Sequence, residues 1–268
     1  MKIKEVTSIA TNRRNFLKGA GLTGAGLLTA TALGRQFGSN VQRVEAATYS
    51  DADVLNFALN LEYLEAEFYL MSTYGTTLVG LGVISKEDET GPTTGGGMVP
   101  DFGASPAAAL GTALRTDEVN HVKFLRSALG ADAVKKPAIN LDALGYGYSS
   151  VPSWLELARQ FEDVGASAYL GAGPYLSSIT NLEAAGAILT VEGFHAGAIR
   201  LVCIQYGIMS PAVDSIDVAP TASTPLAVNS NSLAIPRTPA EVLNVVYHGG
   251  KSFGGFYPDG MNGAITAQ

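Results

Sequence analysis

Cysteine is almost absent from this chain: Cys203 stands alone among 268 residues. An internal disulfide is therefore excluded, and so is a metal centre built from four thiolates. Cys203 itself reads as a small apolar residue on a buried helix face. Basic residues are scarce as well, 17 Lys+Arg against 24 Asp+Glu. Seven of those 17 and two of those 24 lie in residues 1–46, which leaves 10 against 22 and a formal net charge of −12 for the remainder. A domain this acidic argues against nucleic acid or an anionic membrane surface as partner. Long apolar runs are missing too. The glycine-rich apolar run 19–34 has 16 residues, short of the roughly 20 that a membrane-spanning helix needs.

That run is expected to be part of an address. Asn12-Arg13-Arg14-Asn15-Phe16-Leu17-Lys18 precedes it and resembles a twin-arginine export signal, a route that carries folded proteins, often with cofactors in place. Ala46 and Ala47 offer small residues for cleavage. The expected organisation is a signal peptide over 1–46, a helical bundle over 47–210 and a proline- and glycine-rich extension over 211–268. The expected location is the periplasm, the cell envelope or the extracellular space, with no stable membrane span once the signal is removed.

Histidine is rare as well. The chain has three, and two sit three residues after a glutamate, in Glu118-Val119-Asn120-His121 and Glu192-Gly193-Phe194-His195. On a helix that spacing places both side chains on one face, so a carboxylate oxygen and an imidazole nitrogen can converge on one metal ion. A second pattern complements the first. Glu62 precedes Tyr69 by seven residues, and Glu162 precedes Tyr169 by seven, close to two helical turns and hence one face. The order Glu…Tyr, Glu-x-x-His, Glu…Tyr, Glu-x-x-His is a duplicated helix pair. The remaining histidine, His248, lies in a loop with no partner at ligand spacing.

Periodicity and caps predict four long helices. The first covers 51–74, with Ser50 or Asp51 as cap and Val54, Leu55, Ala58, Leu61 and Leu64 as an apolar stripe. A glycine-rich insertion, 75–104, separates it from a second helix expected to start at Ser105-Pro106 and end at Gly130. A crossover over 131–150 leads to a third helix from Ser150 to about Gly171, and Asn181 is expected to cap a fourth that stops at Gly207. Six of the 12 prolines fall between 211 and 258. There, Thr238 can cap one short helix, and the rest is expected to wrap the bundle or meet a neighbouring subunit.

With these motifs the chain resembles the ferritin-like superfamily of di-iron and di-manganese carboxylate proteins, whose ligand set is a Glu from each of two helices and a Glu-x-x-His from each of the others. Asp117-Glu118-Val119-Asn120-His121 is similar to the second-helix motif of bacterioferritins, and Val191-Glu192-Gly193-Phe194-His195 to the fourth-helix motif of rubrerythrins. The resemblance covers about 51–208 and is nearest to a secreted group that includes plant desiccation-related proteins. It implies an all-α, antiparallel four-helix bundle with a long insertion between the first two helices and an irregular C-terminal extension. It also implies two iron or two manganese ions, iron ranked first, with O₂ or peroxide as reactant.

Glu62, Glu118 and His121 are assigned to one ion, and Glu162, Glu192 and His195 to the other, with Glu118 and Glu192 as bridges. Glu65, one turn after Glu62, is an additional ligand, a hydrogen-bond partner of one, or a surface charge. Asp117 and Asp163 are in reach to orient a histidine, or are solvated. Tyr69 and Tyr169 are expected either near the metals, as hydrogen-bond donors or radical traps, or simply packed in the interior. The expected function is oxidation of Fe(II), or reaction with O₂ or peroxide, as in a ferroxidase or a manganese catalase. The alternative is a non-enzymatic stress or desiccation-related envelope protein, and an iron-storage cage ranks below both. A homo-oligomer is compatible with the sequence.

Overall fold

The computed structural model describes residues 49–268; the export signal and the cleavage site expected over 1–46 lie outside them. Four long helices dominate: α1 (Asp51–Tyr74), α2 (Ala108–Leu129), α3 (Val151–Ala172) and α4 (Ile179–Tyr206), with a short α5 (Pro239–Val246) in the C-terminal extension. Side-chain bridges fix their directions. Arg126 reaches Tyr63 while Arg115 reaches Thr73, so α1 and α2 are antiparallel. Arg200 meets Asp163 while the Cys203 thiol meets the carbonyl of Leu155, so α3 and α4 are antiparallel as well. Residues 69 and 162 touch, and so do 169 and 62, which sets α1 against α3 in opposite senses. The result is an all-α bundle of two helical hairpins joined by a long crossover.

The helix ends follow local chemistry. Ser50 and Asp53 form a reciprocal capping box on α1, and Gly75, at φ 69°, closes it in the left-handed conformation that glycine adopts without strain. Ser150 caps α3 with Pro152 in the first turn, and Gly207 closes α4 at φ 64°. Two starts differ from expectation. The second helix begins at Ala108 rather than at Ser105-Pro106, because the Ser105 hydroxyl donates to the carbonyl of Phe102 and is spent on a 3₁₀ turn. The fourth is capped by Ser178, whose hydroxyl accepts from the Asn181 amide. Asn181 already belongs to the helix, and its side chain donates to Asp51 of α1.

A surface helix shows an apolar stripe, whereas α1 is buried on every face from Val54 to Leu70. The insertion and the extension supply the additional cover. The insertion is stitched to the crossover by a parallel pair, β1 (Thr93–Thr94) with β2 (Ile139–Asn140). Its Phe102 sets an aromatic edge against Trp154 of α3, with ring centroids 4.7 Å apart. The Trp154 indole N–H donates to Ser72 of α1. The extension adds to the cover: Tyr257 donates to the carbonyl of Asn60, and the Asn60 amide donates to that of Asn262.

Polar anchors hold the extension on α3 and α4. Arg159, wholly buried, donates to Ser210, Pro211, Asp217 and Asp163. Arg200 shares Asp163 and reaches the carbonyls of Thr224 and Pro225. Helix α4 is long and apolar enough, by length and composition alone, to cross a bilayer. It carries Glu192 and His195, buried in the bundle, and Arg200, buried beneath the extension.

Candidate metal centre

Each long helix brings carboxylates or an imidazole to the middle of the bundle. Glu62, Glu118, Glu162 and Glu192 are completely buried, and His121 and His195 are buried beside them. Their ligand atoms form two overlapping groups, Glu62, Glu118, His121, Glu192 and Glu118, Glu162, Glu192, His195, with the atoms of each group within 4.8 Å of one another. Glu118 and Glu192 belong to both. The two groups are thus adjacent and share two carboxylates, which is the layout of a dinuclear centre with bridging ligands.

The imidazoles face inward through the same nitrogen. His121 Nδ1 lies 3.2 Å from Glu62, 3.1 Å from Glu118 and 3.3 Å from Glu192. His195 Nδ1 lies 2.9 Å from Glu118 and 3.2 Å from Glu162. Behind His195, its Nε2 pairs with Asp117 at 3.1 Å. An Nε2–H donated to Asp117 leaves Nδ1 with a free lone pair, the tautomer a metal ligand needs.

A charged cluster of this kind, buried without counter-ions, is costly. The structure shows where compensation is lacking: Glu62 Oε2, Glu118 Oε1, Glu162 Oε2, both Glu192 oxygens and His195 Nδ1 are buried without a hydrogen-bond partner. Those atoms belong to the two groups above. Four carboxylates and two imidazoles are donors suited to first-row divalent ions such as iron or manganese, so the residues present fit a metal pair.

Residues 50–205 match the family model described as the ferritin-like domain, more than half of the chain. The chain belongs to the ferritin-like family. Among curated proteins, it is 27% identical to the ferritin-like catalase Nec2 of Nesocodon mauritianus, over 82% of this chain and 86% of that protein.

The ferritin-like core also positions the two tyrosines. The Tyr69 hydroxyl on α1 donates to Glu162 on α3, and the Tyr169 hydroxyl on α3 donates to Glu62 on α1. Each tyrosine therefore serves the glutamate of the opposite helix, a reciprocal pair that follows from antiparallel repeats with equal spacing. Burial, and then the charge of that same glutamate, pushes each phenol well above its ordinary range, so both stay protonated as donors.

Glu65 is buried at 4% exposure but belongs to neither four-residue group. It stands beside Glu192: a methyl group built on Gly165 of α3 would lie 2.8 Å from Glu65 Oε1 and 3.0 Å from Glu192 Oε2. Only a residue without a side chain leaves room for both carboxyls, a role for Gly165 that sequence reasoning missed. Burial, and then the charge on Glu192, drives the Glu65 carboxyl well above the usual carboxylate range. Burial likewise pushes Glu118 up to about 7, against the pull of the two imidazoles beside it. For both imidazoles burial works downward, but the carboxylates packed against them, Glu118 first in each case, outweigh it and raise them. Protons therefore compete with a metal for these groups.

The two aspartates that sequence left equal have separate roles. Asp117 orients His195, whereas Asp163 pairs with Arg159 and Arg200 and holds the extension. His248 is exposed and lies in neither group.

Proposed function

We propose that this protein is an exported dinuclear oxidoreductase that breaks down hydrogen peroxide at an iron or manganese pair held by Glu62, Glu118, His121, Glu162, Glu192 and His195. The observation that carries the reading is the pair of ligand groups sharing Glu118 and Glu192, with unpartnered donor atoms in each. The relative named as a catalase supports peroxide as the reactant. Bound there, two redox-active ions would take two electrons from one peroxide and return them to a second, so that two H₂O₂ give two H₂O and one O₂.

The chain's own residues hold the geometry for this. Glu118 and Glu192 span both positions, while Glu62 and Glu162 each belong to one and are steadied by Tyr169 and Tyr69. Asp117 fixes the tautomer of His195. Glu65, beside Glu192, can hold a proton in reach of the site, and the buried walls of the bundle exclude bulk water.

Metal analysis of the full chain tests the reading. Close to two iron or manganese ions per chain and O₂ release from peroxide are expected. Glu118→Gln, which weakens a bridge common to both positions, is expected to cut metal content to one or fewer and lower turnover at least ~100-fold. Protein that neither contains nor takes up metal would instead be a structural, desiccation-type bundle. Export by the twin-arginine route is supported by Asn12-Arg13-Arg14-Asn15-Phe16-Leu17-Lys18. An exported form beginning near Ala47 is expected, and Arg13→Lys with Arg14→Lys should leave the uncleaved chain inside the cell.

A further inference from the structure

Between the bundle and the C-terminal extension lies a cavity of about 490 Å³. Its mouth is formed by exposed residues of the extension, among them Ala212, Asn244 and His248. Its walls are buried and apolar: Leu64 on α1, Phe161 and Val164 on α3, and Phe256, which meets Phe161 edge to face at 5.0 Å. Its floor holds Glu65 and Gly165, the two residues that abut Glu192 of the metal centre. Two other polar side chains on the wall satisfy each other, the Tyr146 hydroxyl donating to Gln160 at 2.8 Å. Among the described residues no donor reaches Glu65.

Size decides what this space is for. Peroxide needs about two water volumes, on the order of 60 Å³, an order of magnitude less than the cavity offers. The volume falls within the roughly 300–1,000 Å³ of small-molecule sites, which are mostly apolar with a few placed polar groups. An apolar wall penalises a charged guest, and the unpartnered Glu65 carboxyl on the floor rewards a guest that brings a hydroxyl, which can both donate and accept.

We propose that this cavity binds a small, neutral, hydroxyl-bearing organic molecule of the phenol type, with its hydroxyl on the Glu65 carboxyl and its body against Leu64, Phe161 and Phe256. The assignment deepens the dinuclear reading, since it places an organic guest against Glu192, but the binding site itself does not depend on metal.

Calorimetric titration of the full chain as purified, with 4-methylphenol as probe and 4-methylanisole as its donor-blocked control, tests the proposal. One saturable site per chain with Kd below about 1 mM is expected, with the phenol bound at least ~10-fold more tightly than the anisole. Val245→Trp, on the half-buried wall, should weaken phenol binding at least ~10-fold. Ala212→Trp, on the exposed rim where folding is not at stake, should do the same by blocking entry. Glu65→Leu should bring the two probes to equal affinity.

Absence of a saturable site, equal affinity of the two probes for the unaltered chain, or binding indifferent to both tryptophans would overturn it. Metal content measured on the same preparation separates the two readings. Phenol binding by metal-free protein would sink the dinuclear function and leave the cavity assignment standing; two ions per chain without phenol binding would do the reverse.

Discussion

Asp117 and the two histidines show how much one hydrogen bond settles at the residue scale. His195 has its outer nitrogen tied to Asp117, while among the described residues no acceptor pairs with the outer nitrogen of His121. The two metal positions should therefore differ in strength. Replacing Asp117 by Ala removes the tautomer lock on one position only, and outer partners of this type are worth about 10–100-fold in metal affinity. Chelator competition on D117A should show one ion per chain weakened by that factor and the other unchanged. Equal weakening of both would mean that Asp117 acts through the local fold. Sequence could not choose between Asp117 and Asp163, because each lies next to a glutamate of the cluster and only packing tells their partners apart. It could pick out the six side chains that converge in the bundle, because spacings of three and seven on helices leave little freedom in where side chains point. Gly165 carried no signal, since its role is to be empty where two carboxyls from other helices need room.

At the scale of the element, the helices were legible and their outer cover was not. Apolar periodicity predicts one stripe on α1, yet the helix is buried all round because segments with no periodicity of their own lie over it. The contact between α3 and the extension is an example. A methyl group on Gly171 would sit 1.8 Å from the carbonyl oxygen of Arg237. At the same crossing the Arg237 amide donates to the carbonyl of Ser167 and its guanidinium to the Ser167 hydroxyl. Gly171→Ala gains up to about 1 kcal/mol of helix propensity but forces backbone apart and weakens both bonds. Overpacking of this kind costs about 1–3 kcal/mol before lost hydrogen bonds are counted. Thermal unfolding of G171A should show a net loss of about 2 kcal/mol. Gly186 of α4, where an added methyl meets nothing within 4 Å, supplies the control, and G186A should be neutral or slightly stabilising. If the two variants unfold alike, the extension is not pinned at this crossing.

Across the whole molecule, the insertion, the crossover and the bundle meet at a buried charge that sets a pH dependence. Glu67 of α1 is fully buried and faces away from the metal groups. One of its oxygens accepts from the amide of Leu78 in the insertion, and the other has no partner. Burial pushes its carboxyl from an ordinary 4.5 up to about 7, against the pull of Lys136. Lys136 in turn is buried in the crossover and bound to Glu89 and the carbonyl of Gly91. A carboxyl raised in the folded state binds more protons there than in the unfolded chain, so its contribution is complete below pH 4.5 and lost as pH rises through 7. Over that window a shift of this size corresponds to about 3 kcal/mol. Glu67→Gln cannot titrate, keeps an acceptor for the Leu78 amide and gives up the attraction to Lys136. Relative to the unaltered chain, E67Q should be close to neutral in stability at pH 4.5 and more stable by about 2 kcal/mol at pH 8. The difference between the two unfolding curves, taken at each pH, cancels the larger acid sensitivity of the metal ligands, which both proteins share. A difference that does not grow with pH would mean that Lys136 holds Glu67 ionised, and that α1 and the crossover are joined by an ion pair rather than by a neutral acid.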